Sequence, residues 1–233
     1  MGRKTHILDG DPPIEVALKR NPRARRFTLR VSRSGGTVSL SMPPFAREAE
    51  ALSFLHDRAG WVRKHLSDAP GPRRPEIGGG FPVQGVERLV QAAHGRAARF
   101  RDGVLFMPEG PRGPVALTSL LKRMAREELA ARCAVHARAL GRSHGKITLR
   151  DTRSRWGSCS SRGDLMFCWR LIMAPLEVLD YVAAHEVAHL AHMDHSPAFW
   201  ATCARLCPGY AAPRGWLKAQ GSELLAWRFD SLP

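Results

Sequence analysis

Apolar and polar residues alternate in two short runs near the N-terminus, at positions 27–31 and 38–42. The turn-forming triplet 34–36 separates the two runs, so this part of the chain is predicted to form a β-hairpin. From about 46 to 66 the apolar residues recur at helical spacing, which indicates a helix. Residues 1–24 contain several prolines and charges, and we expect a loose segment or an edge strand there.

The middle of the chain changes character at residues 69–85, where proline and glycine are concentrated. This composition predicts a linker or a long loop. Short strands are expected after it, at 87–91, 97–101 and 104–107. A long amphipathic helix is then predicted at 116–140, with Gly141 as its stop.

Strand and helix patterns alternate in the last part of the chain. Strands are predicted at 146–151 and 165–173, and helices at about 175–193 and 197–208. The whole pattern predicts an α+β fold with three regions. These are a basic β-hairpin and helix region at 1–68, a Pro/Gly-rich linker with small β-hairpins at 69–115, and a C-terminal domain at 116–233.

The helix predicted at 175–193 has two different sides. Pro175 suits its first turn, Glu177 complements the positive end of the helix dipole, and neither glycine nor proline follows until Pro197. On a helical wheel one side is apolar, and the other side gathers histidines. We therefore expect one side to pack in the core and the other to face a functional site.

The sequence His185-Glu186-Val187-Ala188-His189 lies within this helix. Two histidines four positions apart lie one above the other on one face and can share a metal ion. Glu186 projects about 100° around the axis, where it can reach a metal-bound water without binding the metal. With 10 histidines in 233 residues, an H-E-x-x-H motif is expected by chance roughly 0.02 times. The motif predicts a zinc site with Glu186 as a base.

A catalytic zinc ion needs a third protein ligand, and three residues compete for this role. His192 is about 10.5 Å from His185 along a continuous helix, which is too far for both to bind one ion. His195 follows the predicted helix end, and its spacing from His189 matches the third histidine of the longer motif H-E-x-x-H-x-x-G-x-x-H. We therefore predict His195 as the third ligand, and Asp194 stays open as a carboxylate alternative.

The segments around this motif resemble the YgjP-like zinc metallopeptidases, which are relatives of the WLM and SprT-type zincins. The matching segments are RWGSCS at 155–160, WRLIMAP at 169–175, HEVAHL at 185–190 and HSPAFW at 195–200. The likeness extends from about residue 25 to 216–218. One departure is Asp194, where the family pattern has Asn.

The resemblance implies a zincin-like α+β part in which the H-E-x-x-H helix packs beside a small antiparallel sheet. It implies one Zn²⁺ per chain on His185, His189 and His195, with Glu186 as general base. The segment 155–160, or the strand after it, is implied as the rim that holds an extended peptide. We predict a zinc metallopeptidase that hydrolyses protein or peptide substrates with a zinc-bound water. Candidates for further stabilisation of the transition state are Tyr181, His192, Tyr210 and Arg155.

The net charge of +15 at pH 7 is unevenly distributed, with +8 in residues 1–75, +5 in 76–145 and +2 in 146–233. A basic N-terminal half can be a plain solvated surface, or it can attract DNA or acidic proteins. The alternative function is therefore a nucleic-acid-associated protein. It would be a protease acting on DNA-bound proteins, or a basic binding module with a structural zinc. Its candidate contacts are Arg20, Arg23, Arg25 and Arg26.

Composition and cysteine usage set the expected compartment. Apolar residues make up 44 % of the chain, but no apolar run reaches about 18 residues and no basic-then-apolar signal begins the sequence. The five cysteines are odd in number and include no C-x-x-C pair, which predicts reduced, buried side chains rather than a disulfide framework. We expect a cytoplasmic protein without membrane association.

Overall fold

The structure, a computed structural model, describes residues 4–31, 37–68 and 71–230. Two compact units follow each other along the chain, Met1–Pro72 and Arg73–Pro233. Each unit has a hydrophobic core of its own. None of the helices in the described ranges combines the length and the apolar character needed to span a membrane.

The first unit is built on a four-stranded sheet. Its strands are β1 (Lys4–Leu8), β2 (Ile14–Arg20), β3 (Thr28–Val31) and β4 (Val38–Met42), in the order β1-β2-β4-β3. Strands β3 and β4 pair antiparallel, with Leu29 opposite Leu40. This pairing confirms the predicted hairpin, whose turn at 34–36 lies outside the described residues.

The expectation of a loose segment or an edge strand at 1–24 is confirmed for β1, which is at the edge of the sheet, and is wrong for β2. Strand β2 lies inside the sheet, antiparallel to β1 and parallel to β4. Its alternate residues Ile14, Val16 and Leu18 are buried because the two-residue period of a strand puts them on one face. The alternation is present in the sequence, but it is short and flanked by prolines and charges.

The helix predicted at 46–66 is divided into two. They are α1 (Glu48–Asp57) and α2 (Ala59–Ser67). The break falls at Arg58, whose φ of −105° and ψ of 9° are not helical. The buried residues of the two helices, Ala51, Leu55 and Val62, belong to the same core as the sheet. The apolar spacing alone does not reveal this break because both helices bury residues in one core.

The second unit begins with another four-stranded sheet. Its strands are β5 (Gly80–Val83), β6 (Val86–Ala93), β7 (Arg99–Arg101) and β8 (Val104–Pro108), in the order β5-β6-β8-β7. Strands β6, β7 and β8 confirm the three predicted strands. Strand β5 lies where a loop was expected, because Gln84 and Gly85, with φ of 52° and 78°, form a tight turn that pairs β5 with β6.

Helix α3 (Gly113–Leu140) is the long helix predicted from the sequence, and it ends at Gly141 with a left-handed φ of 71°. Its inner face shares one core with the preceding sheet, since Leu117, Phe81 and Leu105 are all fully buried in it. Strands β5–β8 therefore belong to the same compact unit as the helices that follow. The sequence pattern predicts a separate region at 69–115. The many proline and glycine residues of this region indicate loops, and they do not show that its strands bury apolar side chains.

A small sheet and the remaining helices complete the second unit. Strands β9 (Ile147–Arg150), β10 (Gly157–Cys159) and β11 (Leu165–Cys168) lie in the order β10-β11-β9. The sheet is mixed rather than wholly antiparallel, because β10 pairs antiparallel and β9 parallel with β11. The chain continues as a 3₁₀ helix (Trp169–Met173), where a longer strand was predicted, and then as α4 (Leu176–Ala188), α5 (Pro197–Leu206) and α6 (Ala211–Ala226). The predicted α+β fold is confirmed.

The β5–β6 turn fixes the start of α4. The backbone N–H of Gln84 donates to the carbonyl of Ile172 at 2.7 Å, and that of Gly85 donates to the carbonyl of Met173 at 3.2 Å. A Cβ atom on Gly85 would lie 2.7 Å from the Cα of Pro175, so a side chain does not fit there. The β5–β8 sheet therefore helps to position the helix that carries the H-E-x-x-H motif.

The cysteines are free thiols in the structure. Cys133, Cys168, Cys203 and Cys207 are buried, and Cys159 in β10 is half-buried. Burial raises the pKa of the Cys133 thiol to about 12, which keeps it protonated and unreactive at neutral pH. The buried cysteines act as small apolar core residues, as predicted.

Candidate metal centre

Helix α4 brings His185 and His189 to one face. The other side of the helix is anchored in the core by Leu179, Ala183 and Val187, all of which are buried. The centroids of the two imidazole rings are 5.0 Å apart, as expected for residues four positions apart on a helix. His185 is half-buried, and His189 retains 9 % exposure.

Helix α4 ends earlier than predicted, at Ala188 instead of 193. His189 is the C-cap, and the backbone N–H of His192 donates to the carbonyl of Ala188 at 3.2 Å. The carbonyl of His192 in turn accepts a hydrogen bond from Nδ1 of His189 at 2.9 Å. The end of the helix is thus set by a side chain that bonds to the following turn, and no glycine or proline signals it in the sequence.

The same hydrogen bond determines which ring nitrogen of His189 can bind a metal. A carbonyl oxygen only accepts, so Nδ1 of His189 carries the proton that is shared with His192. The lone pair of a neutral His189 is therefore on Nε2. A hydrogen bond of this kind from the second nitrogen orients many metal-binding histidines.

His195 reaches the helix from a short turn. The backbone N–H of Ser196 donates to Oδ1 of Asp194 at 3.2 Å, and the Ser196 hydroxyl accepts from the N–H of Phe199 at the start of α5. This turn brings Nε2 of His195 to 3.2 Å from Nε2 of His185. One potential ligand atom from each of His185, His189 and His195 lies within 4.8 Å of the other two. We call these three residues the histidine cluster.

The rival ligand candidates have other contacts. His192 contributes its backbone carbonyl to the His189 hydrogen bond. The Asp194 carboxylate accepts from Ser196, and this hydrogen bond lowers its pKa. Among the residues that the structure describes, the histidine cluster is the one group of three with metal-ligand geometry, and it contains neither His192 nor Asp194.

Aromatic rings from α5 hold the histidine cluster from one side. Phe199 stacks on His189 with 4.5 Å between ring centroids, and Trp200 stacks on His195 at 5.7 Å. Phe199 also contacts His185 edge-on at 4.9 Å. In the described part of the chain, Nδ1 of His185 is buried without a hydrogen-bond partner, so on that side the ring is held by packing rather than by a hydrogen bond.

The histidine cluster fits a tetrahedral metal ion. Burial lowers the pKa of His185 to about 3, with a smaller contribution from His189 and His195. Burial also lowers the pKa of His189, so both rings are neutral at pH 7 and keep a lone pair. The 3.2 Å between Nε2 of His185 and Nε2 of His195 matches the roughly 3.3 Å separation of two nitrogens bonded to one zinc at 2.0–2.1 Å.

The Glu186 carboxyl group is buried next to the histidine cluster and keeps 5 % exposure. Its Oε2 atom has no hydrogen-bond partner in the described ranges. Burial raises the pKa of Glu186 to about 8, and the positive charge of Arg155 opposes this shift. A buried carboxyl without a partner costs stability, which is typical of groups retained for function.

Gly157 in β10 lies directly against this carboxyl. A Cβ atom at this position would lie 2.5 Å from Oε1 of Glu186. Gly157 has no individual role predicted from the sequence, although a glycine inside a strand often marks a close approach of another group. Its partner could not be identified from the sequence because it lies in a helix that follows later in the chain.

Strand β10 is at the edge of its sheet, and β11 is interior. Of the two segments that the resemblance implied as a rim, 155–160 therefore contains the edge strand. An edge strand offers unpaired backbone N–H and C=O groups to an extended chain. Because Gly157 lies against Glu186, this edge runs beside the candidate catalytic carboxyl.

The candidates for transition-state stabilisation are placed differently around the site. Tyr181 is buried, its ring contacts His185 edge-on at 5.8 Å, and burial raises its pKa to about 12. Tyr210 stacks on Trp200 at 5.4 Å and is half-buried. Arg155 is exposed and interacts electrostatically with Glu186.

Comparison with known proteins shows the family of this chain. The family model described as the YgjP-like metallopeptidase domain matches residues 25–220. The chain belongs to the YgjP-like metallopeptidase family, and it is a metallopeptidase of the hydrolase class. The family resemblance seen in the sequence is therefore confirmed.

Two further comparisons complete this picture. No curated protein matches the chain. Among solved structures, the chain is similar to the metallopeptidase zymogen of Pyrococcus abyssi abylysin, with 22 % sequence identity over 40 % of this chain and 95 % of that chain and a TM-score of 0.36.

Proposed function

We propose that this protein is a zinc-dependent endopeptidase that cleaves unfolded or exposed protein segments, with Glu186 as general base. One observation carries the proposal. The ligand atoms of the three imidazoles of the histidine cluster lie within 4.8 Å of one another, and the adjacent residue Glu186 has a buried carboxyl.

The donor set favours zinc at this position. His185, His189 and His195 would hold one Zn²⁺ per chain, since three neutral nitrogen ligands with a fourth position open are typical of catalytic zinc. When bound, zinc lowers the pKa of a coordinated water towards 7 and polarises the carbonyl oxygen of a substrate. Neutral imidazoles leave the charge of the ion undiminished, which favours this chemistry.

Glu186 is suited to move the proton. Its Oε2 is free of protein hydrogen bonds within the described residues, so it can accept a proton from the attacking water and deliver it to the departing amine. Burial raises its pKa to about 8, which keeps the carboxyl largely protonated at pH 7. This pKa would be lower beside a bound zinc, which favours the carboxylate that acts as the base. Gly157 leaves just enough space for the carboxyl group beside β10.

The edge of β10 would bind the substrate in extended form. Backbone hydrogen bonds to an edge strand do not depend on side-chain identity, so they accommodate many sequences. They require a substrate segment that is free of its own secondary structure. This requirement supports unfolded or exposed protein segments as the substrate class.

The test combines metal analysis with a matched pair of variants. The purified protein should contain about one zinc per chain, and Glu186→Gln should keep the zinc while cleavage of an unstructured protein falls by at least about 100-fold, because general-base catalysis supplies roughly 10²–10⁴-fold. Glu177→Gln is the control, since Glu177 is exposed on the same helix. Unchanged cleavage by Glu186→Gln would refute the mechanism.

The nucleic-acid alternative from the sequence rests on charge. Arg20, one of its four candidate contacts, donates from Nη1 to the carbonyls of Pro44 and Ala46 at 2.8 and 2.9 Å, which gives it a structural role. Arg23, Arg25 and Arg26 are exposed. Binding of DNA that weakens steeply with salt and on neutralising these three arginines would support the alternative.

A structural zinc without turnover is distinguished by the same glutamate variant. In that case Glu186→Gln would relieve the burial of an ionisable group and change stability, while no proteolysis would depend on it. The unpartnered Oε2 favours the enzyme, because a purely structural site has no need of a free carboxyl beside the metal.

A further inference from the structure

We propose that a cationic pocket on the outer face of the β9–β11 sheet selects substrates that carry an acidic side chain close to the cleaved bond. The inference rests on the proposed peptidase function and adds its substrate class. Arg150 and Arg155 are the residues that would recognise the carboxylate.

The pocket is formed by side chains that share one face of the sheet. Thr148, Met166 and Ser158 lie side by side across β9, β11 and β10 because they are paired in the strand register. Arg150 lies two residues after Thr148 and therefore on the same face. A cavity of about 250 Å³ is lined by Thr148, Arg150, Thr152, Arg155, Ser158 and Met166.

No salt bridge between described residues neutralises the positive charge of this pocket, although Arg155 interacts electrostatically with Glu186. Arg150 and Arg155 are both exposed, and within the described ranges their guanidinium groups form no ion pair. The neighbouring Asp151 is paired with Arg170, whose Nε lies 2.6 Å from Oδ1. Two guanidinium groups beside one cavity are suited to bind a carboxylate through two parallel hydrogen bonds.

The hydroxyl groups around the cavity complete the site. The Thr152 hydroxyl donates to the carbonyl of Arg155 at 2.7 Å, which holds the loop that carries this arginine. The Ser158 side chain is half-buried on the pocket face and can donate a further hydrogen bond to an anion. The pocket thus offers cationic and neutral donors and no acidic group in its lining.

Strand geometry connects the pocket to the metal centre. Successive residues of a strand point to opposite faces: Gly157 abuts Glu186, and the next residue, Ser158, lines the pocket. A peptide paired with the edge of β10 alternates its own side chains in the same way. Side chains on the pocket face then lie within about two residues of the carboxyl that acts on the peptide bond, at about 3.3 Å per residue.

The test compares peptides that differ in charge at single positions. Unstructured fluorogenic peptides with amidated C-termini carry Glu, Gln or Lys in turn at each position around the cleaved bond. The wild-type protein should cleave the Glu peptide at one or two of these positions with a kcat/KM at least about tenfold above that of the Gln peptide, as expected for a charge-assisted hydrogen bond. A separate series of peptides has free C-termini. Comparing the two series distinguishes recognition of a side-chain carboxylate from recognition of the C-terminal carboxylate.

Charge variants at the pocket assign the preference to it. Arg150→Gln should reduce the Glu-to-Gln ratio to near one, and Arg150→Glu should reverse the preference in favour of Lys. Arg138→Gln is the matched control, because Arg138 is exposed on α3 and distant in sequence from the pocket. Retention of the full preference by both Arg150 variants would overturn the proposal.

A binding measurement separates this proposal from the proposed function. The Glu186→Gln protein is titrated with labelled Glu and Gln peptides, and the Glu peptide should bind about tenfold more tightly in an Arg150-dependent manner. If the wild-type protein cleaves neither peptide while this difference persists, the peptidase function fails and the pocket stands. If cleavage is efficient but indifferent to charge, the pocket proposal fails and the peptidase function stands.

Discussion

At the scale of single residues, the contact between Gly157 and Glu186 makes a sharp prediction. A Cβ on Gly157 would lie 2.5 Å from Oε1 and 2.6 Å from Cγ of Glu186, which is too close for the carboxyl to stay in place. Gly157→Ala should therefore lower kcat/KM by about tenfold or more, because a displacement of about 1 Å in an active site can cost 10²-fold. The zinc content should stay near that of the wild-type protein.

Gly215→Ala provides the control for this prediction. Gly215 lies in α6, and a Cβ there would meet no atom within 4 Å apart from its own chain neighbours and the backbone of the helix. Alanine also suits a helix better than glycine, so this variant should keep full activity. Loss of zinc from Gly157→Ala would contradict the prediction, since it would mean that the change disrupts the histidine cluster instead of the base.

The residues of the site differ in how far the sequence identifies them. His185, Glu186 and His189 follow from one helical motif, because positions four apart share a face whatever the surroundings are. His195 could be predicted from spacing and from a helix end, although the helix ends earlier than expected. Arg155 and Gly157 lie in the segment 155–160 that the resemblance implied as the substrate rim, and Arg155 was also a predicted candidate for transition-state stabilisation. The contact of Gly157 with Glu186 and the role of Arg150 could not be predicted, because the tertiary fold brings these residues to the site from elsewhere in the chain.

At the scale of secondary-structure elements, Arg170 links the 3₁₀ helix to the end of α6. It is 5 % exposed, its Nη1 donates to the carbonyls of Leu224 and Trp227 at 3.0 and 2.9 Å, and its guanidinium pairs with both carboxylate oxygens of Asp151. Arg170→Met should lower the free energy of unfolding by about 3 kcal/mol, mainly because it leaves two buried carbonyls without a donor. The loss of the ion pair with the exposed Asp151 adds little. Urea unfolding measures this loss.

Arg170→Lys serves as the matched variant for this prediction. Lysine keeps the charge but lacks the planar fork that reaches two carbonyls and a carboxylate together. The free energy of unfolding of Arg170→Lys should therefore lie between that of the wild-type protein and that of Arg170→Met. A change below about 1 kcal/mol for Arg170→Met would show that the contacts of α6 do not depend on this side chain.

Some secondary-structure elements can be predicted from the apolar pattern of the sequence, and others cannot. Helix α3 and strands β3, β4, β9 and β11 follow from apolar periodicity because one side of each is buried. The strand predicted to continue to 173 is replaced by a 3₁₀ helix after Cys168. Trp169, Leu171 and Ile172 in this helix are all buried. An apolar run that is buried on every side has no period to distinguish a strand from a helix.

At the scale of the whole molecule, the residues of the candidate metal centre all lie in one of the two compact units. The histidine cluster and Glu186 belong to the unit Arg73–Pro233, whose core shares no residue with that of Met1–Pro72. A ligand that binds only the folded state stabilises the structure that holds its site. Zinc should therefore protect the second unit without protecting the first.

Hydrogen exchange of the full-length protein, followed by mass spectrometry, measures this difference segment by segment. Zinc at about 100 times its Kd should stabilise the second unit by about 2.7 kcal/mol, which appears as slower exchange in α3 and α4, and EDTA should reverse the effect. Exchange in β2 and β4 of the first unit should not change. In His195→Ala, which lacks one proposed ligand, the response to the same zinc concentration should shrink. Equal slowing of β2 and α4 by zinc would contradict the prediction, because it would mean that the two cores unfold as one.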